Sequence, residues 1–319
     1  MKTILSIDLG GTKVMIGEVT VEGQVLAHKK YPSVVTSQKK ALETIKEALV
    51  DYQKTVGFIG EIQGMGVALV GRVNYQTGIW IEIHPELSEE IDVVQELQKI
   101  VSVPCFLAND VYCASLAELE HGFGNLTKNF VYLNIGTGIA ARMVIEGQII
   151  AGNHYDAGEI GHMVVDINSQ IPCICGRYGC SEVLASGLGM SNRIKQLALD
   201  YPTSIFHREY QGDERVATEE IFDAYDQGDK LAQVVIDQAL KTVAAVIMNL
   251  VRTCDPDGFV LGGGVVLNGW FLEKLQPYLS KKTNRFLSQG IAITTLDTRY
   301  ITLIGCSILV QKGLVQFNV

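Results

Sequence analysis

The feature that most constrains this chain is a cluster of soft metal ligands between Gly158 and Glu182. The ligands follow the spacing H-x10-C-x-C-x4-C and are His162, Cys173, Cys175 and Cys180. Three thiolates and one imidazole close a tetrahedral zinc site and leave no open position for water, so the expected metal is structural. Gly176 and Gly179 lie between the ligands, where the backbone must turn sharply.

Two carboxylates, Glu159 and Glu182, stand at the two ends of this stretch. If a rigid metal site holds them, they are suited to accept hydrogen bonds from a polyhydroxyl ligand. Their spacing fits solvated surface carboxylates equally well, so the sequence alone leaves both interpretations open.

Length and composition predict a globular two-domain protein. The chain has 319 residues, of which 47% are hydrophobic and 19% charged, and its formal net charge is −9. An acidic chain is a poor partner for nucleic acid and for anionic membranes. The N-terminus shows no signal peptide, and the longest apolar run, residues 243–251, is too short to cross a bilayer. The four cysteines outside the cluster are expected to be reduced thiols, and a cytoplasmic location follows.

Three glycine-rich turns interrupt short apolar runs. The first follows Asp8, which suits a magnesium ion bound through water, and its exposed amides favour an anion. A second turn of the same design recurs after residues 130–135, and a third follows residues 259–261. One such turn is also typical of an ordinary hairpin, but the recurrence indicates a duplicated phosphate clamp. Arg142, after the second turn, either flanks the phosphates or points to solvent.

A buried strand over residues 103–107 is predicted to end at Asn109 and Asp110. A carboxylate at the carboxyl edge of such a strand faces the crevice where α/β sheets bind ligands. The alternative is that Asp110 caps the helix expected over residues 111–118. Gly71, near the end of an apolar run over residues 64–73, allows close approach of a ligand, or it marks a turn or bulge.

Periodicity predicts an alternation of strands and helices, which is an α/β pattern. Strands are expected over residues 24–31, 64–73, 103–107, 130–135, 141–145, 259–261 and 291–296. Helices are expected over residues 38–53, 91–100, 111–118, 184–199, 218–227, 231–253 and 304–313.

The metal-binding stretch resembles the ROK family of sugar kinases and sugar-responsive repressors. The family motif A-G-E-x-G-H followed by C-x-C-G-x-x-G-C-x-E matches residues 157–182 at every fixed position. The resemblance implies an actin-like ATPase (ribonuclease H-like) fold with two α/β domains, a central cleft and a zinc site. The expected domains are residues 1–117 joined by a C-terminal helix at about 304–319, and residues 118–303.

The resemblance also implies roles for individual residues. Asp110 is expected to be the catalytic base. Sugar contacts are expected from Gly71, Asn109, Asp110, Glu159, His162 and Glu182. Contacts to ATP and Mg²⁺ are expected from Asp8, Gly10, Gly11, Thr12, Lys13, Gly136, Thr137, Gly138, Gly262, Gly263 and Gly264. Because the ATP loops lie elsewhere in the sequence, the zinc ion is expected to support the sugar residues and not the nucleotide.

The function that these expectations define is ATP-dependent phosphorylation of a hexose or hexose derivative at its hydroxymethyl oxygen, by a homodimer. The alternative is a sugar-binding regulatory protein of the same family. Retention of Asp8 and Asp110, and the lack of a helix-turn-helix segment before Asp8, favour the enzyme. The identity of the sugar is left open by two departures from the family pattern. Val70 stands where the family usually carries proline, and Glu86, with His84 nearby, stands where it carries asparagine.

Overall fold

The computed structural model describes residues 1–317 except Val34, Pro85 and Asp213. The chain divides into two compact units. Unit 1 contains Met1–Asn125, Ala151–Ala157 and the chain from Leu296 onward, and unit 2 contains Leu126–Ile150 and Gly158–Thr295.

Unit 1 is built from eight strands and four helices among the described residues. Its strands are β1 (Lys2–Leu9), β2 (Lys13–Thr20), β3 (Val25–Pro32), β4 (Glu61–Leu69), β5 (Arg72–Asn74), β6 (Ile79–His84), β7 (Leu87–Asp92) and β8 (Cys105–Asn109). Its helices are α1 (Gln38–Thr55), α2 (Val93–Gln98), α3 (Asp110–His121) and, in chain order after the helices of unit 2, α10 (Ile301–Phe317). The predicted domain boundary at residue 117 lies inside α3. Of the terminal helix predicted to reach residue 319, Asn318 and Val319 lie outside the described residues.

The main sheet of unit 1 has the strand order β3-β2-β1-β4-β8. Strands β1, β2 and β3 form an antiparallel meander, whereas β4 and β8 run parallel to β1. Parallel strands end at the same edge of a sheet, so Asp8, Leu69 and Asn109 lie along one edge. Helix α1 packs its apolar stripe, which includes Leu42, Ile45 and Leu49, into the core beside this sheet.

Unit 2 contains five strands and six helices among the described residues. Its strands are β9 (Phe130–Ile135), β10 (Ile139–Ile145), β11 (Gln148–Ile149), β12 (Gly258–Gly262) and β13 (Gly290–Ile293). Its helices are α4 (Ser181–Ala185), α5 (Gly187–Leu197), α6 (Thr218–Asp226), α7 (Lys230–Cys254), α8 (Trp270–Leu275) and α9 (Lys281–Asn284).

The sheet of unit 2 repeats the design of unit 1. Its order is β11-β10-β9-β12-β13, with an antiparallel meander followed by two strands parallel to β9. The hairpin between β9 and β10 therefore corresponds to the hairpin between β1 and β2. The predicted duplication of the glycine hairpins is part of a duplicated sheet topology.

Helix α7 forms the centre of the unit 2 core. It has 25 residues and is long and apolar enough to cross a membrane by length and composition, but most of its apolar window is buried inside unit 2. The nine-residue apolar run at residues 243–251 therefore covers only part of the apolar length of α7. The helix ends at Cys254, and its capping residue Asp255 has a φ of +45°, in the left-handed region.

Three predicted elements differ from the observed ones because of individual residues. The helix expected over residues 184–199 is two helices, because Ser186 has an extended backbone and its side chain accepts a hydrogen bond from the Gly189 amide. The run over residues 64–73 is two strands, because Gly71 turns the backbone with a φ of +82°. Ile91 and Asp92 belong to β7, and the Asp92 side chain caps α2.

Candidate functional site

The four predicted metal ligands come together in unit 2. Their ligand atoms all lie within 4.8 Å of one another. Cys173 Sγ is 3.4 Å from His162 Nδ1, and Cys175 Sγ is 3.6 Å from Cys180 Sγ. Ligands at about 2.3 Å from a tetrahedral zinc ion are separated by roughly 3.8 Å. The donor set and its spacing therefore fit a structural zinc ion.

The three thiols differ in how readily they ionise. Burial raises the pKa of Cys180 to about 12 and raises the pKa of Cys173. Burial opposes ionisation of Cys175 as well, but hydrogen bonds involving Arg177 outweigh it and lower the pKa of that thiol to about 7. A metal ion would be required to hold all three side chains as thiolates near neutral pH.

The loop that carries the ligands turns on glycine. Gly176 and Gly179 have φ values of +84° and +69°, and a Cβ on Gly179 would come within 2.0 Å of the Asp166 carbonyl oxygen. Side chains with a Cβ rarely adopt this conformation. The predicted need for glycine between the ligands is therefore confirmed at both positions.

Glu182 lies in the first turn of α4, two residues after the ligand Cys180. Its Oε2 accepts a hydrogen bond of 2.9 Å from the backbone N–H of Ile139. A Cβ on Gly138 would come within 2.5 Å of the same oxygen. The resemblance assigned Glu182 to the sugar and the second glycine turn to ATP. The structure places the Glu182 carboxylate against that turn.

Glu159 is paired with Arg142, and this pairing was not foreseen from the sequence. Arg142 is only 2% exposed, so its side chain does not point to solvent. Its Nη2 lies 3.4 Å from Glu159 Oε1, and its Nη1 donates to the Ala141 carbonyl oxygen at 3.0 Å. Glu159 keeps 33% of its side chain exposed, so it is neither a fully solvated nor a fully buried carboxylate.

The second and third glycine turns lie against each other. The Val265 amide donates to the Ile135 carbonyl oxygen at 3.1 Å, which fixes the turn at residues 262–264 beside the end of β9. Gly263 has a φ of +89°, and a Cβ there would lie 2.3 Å from the Ile135 oxygen. Unit 2 therefore assembles both of its predicted ATP turns at one end of its sheet.

A cavity of about 510 Å³ opens beside the second turn. Thr137, Gly138 and Glu182 line one part of it, and α5 contributes Asn192 and Arg193. The α5 residues were not predicted from the sequence, because nothing in their spacing carries a motif. The cavity is large enough to hold part of a nucleotide.

In unit 1, Asp8 and Asp110 interact at the common edge of the parallel strands. Burial, together with the negative charge of Asp110, raises the pKa of Asp8 to about 7, against a usual value of 3.8. The repulsion between the two carboxyl groups makes it costly to ionise both, and a divalent cation would relieve it. The pair therefore has the chemistry of a magnesium site.

Asn109, and not Asp110, occupies the capping position of α3. Its Oδ1 accepts hydrogen bonds from the amides of Val111 and Tyr112 at 3.0 and 3.2 Å. Its Nδ2 donates to the Gly71 carbonyl oxygen at 3.0 Å, so the structure brings Gly71 and Asn109 together. Asp110 Oδ1 also accepts from the Val111 amide at 2.8 Å.

The first glycine turn closes with a hydrogen bond of 2.9 Å from the Gly10 amide to the Lys13 carbonyl oxygen. Gly11, Thr12 and Lys13 are exposed. A Cβ on Gly11 would meet no atom within 4 Å. This turn is therefore more exposed than the turn of unit 2, although the Ser33 amide donates to its Thr12 carbonyl oxygen at 3.2 Å.

The segment that departs from the family pattern forms part of the small sheet β5-β6-β7. The Val70 carbonyl oxygen accepts a hydrogen bond from Trp80 Nε1 at 3.0 Å, and the Glu86 amide contacts His84 Nδ1 at 3.3 Å. Pro85, between these two residues, lies outside the described residues. A sugar contact from His84 or Glu86 stays a prediction.

Comparison with known proteins identifies the class. The sequence matches the ROK family over residues 4–312. The chain therefore belongs to the ROK family.

Two relatives are named as sugar kinases. The N-acetylmannosamine kinase of Shigella flexneri is 28% identical over 288 residues, which cover 89% of this chain and 90% of that protein. The glucokinase of Thermotoga maritima is 26% identical over 284 residues, which cover 86% and 88%. These matches confirm the predicted enzyme class, an ATP-dependent sugar kinase.

Solved structures agree on the fold. The ROK hexokinase of Thermus thermophilus superposes with a TM-score of 0.74 at 26% identity, over 98% of this chain and 99% of that one. A ROK transcriptional regulator, a homologue of the E. coli MLC protein, gives 0.81 at 23% identity and covers 99% and 80%. The predicted two-domain α/β fold of ROK sugar kinases is thereby confirmed.

Proposed function

We propose that the chain transfers the γ-phosphoryl group of ATP to the hydroxymethyl oxygen of a hexose or hexose derivative, in the cytoplasm. The observation that carries this proposal is the arrangement at the end of β8, where Asn109 caps α3 and Asp110 follows it. Asn109 supplies the cap, and Asp110 accepts from the Val111 amide, which Asn109 already bonds, so the helix does not require a carboxylate at position 110. The relatives that phosphorylate sugars support the same assignment.

In this proposal Asp110 is the catalytic base and Asn109 holds the sugar. Asp110 accepts the proton of the sugar hydroxyl while that oxygen bonds to the γ-phosphorus and the bond to the β-phosphate oxygen breaks. Phosphoryl transfer has a loose transition state, so catalysis rests on positioning and on stabilising charge. Bound Mg²⁺ would neutralise phosphate charge, and Asp8 has the carboxylate to hold it through water.

The remaining roles follow the same family pattern. Sugar hydroxyls form hydrogen bonds with Glu159, His162 and Glu182. His162 also serves as a zinc ligand with the three cysteines. The backbone amides of the turns at residues 10–13 and 136–138 contact phosphates, and the turn at residues 262–264 contacts the adenosine side. The zinc ion is structural, and the homodimer stays a prediction.

A coupled assay of ADP release tests the proposal. Purified protein with ATP and Mg²⁺ is screened against hexoses, N-acetylhexosamines and β-glucosides. We expect turnover with at least one of these classes, and turnover lower by about 10²–10⁴-fold in the Asp110→Asn variant. If no sugar in the panel gives turnover, the proposed reaction is wrong for these classes.

The second candidate is a sugar-binding regulatory protein, which is favoured by the fold match with a transcriptional regulator. Titration calorimetry separates the two functions. Saturable sugar binding without any ADP release would support the regulator and contradict the kinase.

A further inference from the structure

Glu182 bridges two sites that the sequence treats as independent. It follows the metal ligand Cys180 by two residues, and its carboxylate accepts the Ile139 N–H at 2.9 Å. We propose that Glu182 is a positioning residue for the second glycine turn and that it links the metal cluster to nucleotide affinity. This inference rests on the proposed function, because it assumes that the turn at residues 136–138 contacts phosphates.

The turn has little bonding of its own and is held from outside: the amides of Gly187 and Leu188 donate to the Gly136 and Thr137 carbonyl oxygens, and Glu182 holds the Ile139 amide. Within the turn the Gly136 amide donates to the Gly138 carbonyl oxygen at 3.0 Å, and two of its three residues are glycines. Glycine loses more conformational freedom on ordering than any other residue. A turn that is already fixed when the nucleotide arrives does not lose that freedom on binding, so its affinity is higher.

The carboxylate of Glu182 fits the anchoring role closely. A hydrogen bond to an ionised acceptor is stronger than one between neutral groups. The oxygen also lies within 2.5 Å of where a Cβ on Gly138 would stand, so only glycine allows this approach. The Ile139 amide is consequently an anchor point of the turn and not a ligand for phosphate.

Helix α4 connects this anchor to the metal cluster. Ser181, between Cys180 and Glu182, donates its hydroxyl to the Ile160 carbonyl oxygen at 2.7 Å. Ile160 lies in the short 3-10 helix Ile160–His162, which ends at the metal ligand His162. Glu182 therefore follows residues that two metal ligands position, Cys180 through the chain and His162 through the hydrogen bond from Ser181 to Ile160.

Simple electrostatics makes the opposite prediction. A carboxylate beside a phosphate-binding turn repels the negative charge of ATP, so its removal should tighten binding if charge alone mattered. If Glu182 acts as an anchor, its removal should weaken binding. The sign of the change therefore separates the two effects.

Calorimetric titration of a non-hydrolysable ATP analogue with Mg²⁺ tests the proposal without any sugar. The Glu182→Ala variant should bind the analogue about tenfold more weakly, which is the size of one lost hydrogen bond to a charged group. Glu182→Gln keeps an acceptor oxygen at the same reach, so its affinity should stay within about threefold of the parent. Glu273→Gln, an exposed carboxylate on α8, is the matched control and should not change.

Glu182→Asp provides a second test if the alanine variant does not fold. Aspartate keeps the charge but is one methylene shorter, so it cannot reach the Ile139 amide without movement of α4. It should therefore weaken binding as alanine does. Circular dichroism melts show whether each variant is folded.

The outcomes distinguish this inference from the proposed function. A parent protein that binds no nucleotide overturns both. A parent that binds the analogue, together with alanine and aspartate variants that bind equally well or more tightly, overturns the anchoring role alone.

Discussion

The corresponding hairpin turns of the two units are both predicted to contact phosphate, but they differ in exposure and in how neighbouring residues hold them. The turn between β1 and β2 is exposed, and its Gly11 would accept a Cβ without meeting any atom within 4 Å. The turn between β9 and β10 is held by neighbours, because the amides of Gly187 and Leu188 donate to the Gly136 and Thr137 carbonyl oxygens at 2.8 and 3.3 Å.

The difference lies in what each turn can offer a ligand. The first turn is flanked by ionisable side chains, Asp8 and Lys13, whereas the second offers backbone amides and one hydroxyl, that of Thr137. A turn that works through amides must have its backbone fixed from outside, which Glu182 does together with the amides of Gly187 and Leu188. The first turn adds the charges of Asp8 and Lys13 to its own amides, so its binding also depends on the ionisation of Asp8.

The largest expected effect concerns the carboxylates of unit 1. Asp110→Asn should reduce turnover by about 10²–10⁴-fold, the usual contribution of a general base, while leaving nucleotide binding intact. Steady-state kinetics with calorimetry checks both values. Turnover within a few-fold of the parent would mean that Asp110 serves only the helix.

The pH dependence of stability should also originate in unit 1. Because the pKa of Asp8 is raised to about 7 in the folded protein, folding takes up a proton between about pH 4 and pH 7. Without divalent cations, the free energy of unfolding should therefore fall as pH rises through this window, by up to about 4 kcal/mol, and then level off. Denaturant titrations of the parent and of Asp8→Asn measure it, and an equally steep fall in the variant would contradict the assignment.

Removal of a metal ligand should act on unit 2. Cys175→Ser should weaken the metal site, since a hydroxyl is a poor substitute for thiolate, and elemental analysis should show less than one zinc ion per chain. The sequence predicts that sugar affinity falls and nucleotide affinity does not. Because the Ile139 amide donates to Glu182, we expect nucleotide affinity to fall as well, though by less than sugar affinity. Parallel titrations of sugar and of an ATP analogue would measure both losses. A parent protein free of metal after preparation without chelator would contradict the zinc assignment.

The smallest effect comes from a matched pair of glycine substitutions. Gly138→Ala should displace the Glu182 carboxylate and lower nucleotide affinity by about tenfold or less, because the long side chain can move aside. Gly11→Ala meets no protein atom within 4 Å, so any loss of affinity there would come from contact with the nucleotide and not from a displaced side chain. Equal losses in both variants would mean that the two turns bind phosphate in the same way.

The sequence predicted the main architecture because its signals are local. The hydrophobic stripe of α1, the β9–β10 hairpin and the spacing of the four metal ligands each depend on residues that are near one another in the chain. Interruptions were missed where one side chain reverses a strong pattern, as Ser186 does between α4 and α5.

Contacts between distant segments were beyond the sequence. Arg142 and Glu159 are 17 residues apart, and Ile139 and Glu182 are 43 residues apart. Nothing in the identity of an isoleucine indicates that its backbone amide meets a carboxylate. The same reason hid the cap of α3, since Asn109 and Asp110 are both good capping residues and only the backbone geometry distinguishes them.

The contact between Arg142 and Gly158 has a consequence for how this protein can evolve. A Cβ on Gly158 would lie 2.4 Å from Arg142 Nη1 and 2.0 Å from the Ala141 carbonyl oxygen. Shortening Arg142 would remove only the first obstruction, because the second belongs to the backbone of β10. Position 158 is therefore closed to any residue with a Cβ, whichever residue stands at position 142. Lineages that adapt to a new sugar should keep this glycine even where the arginine beside Glu159 has changed.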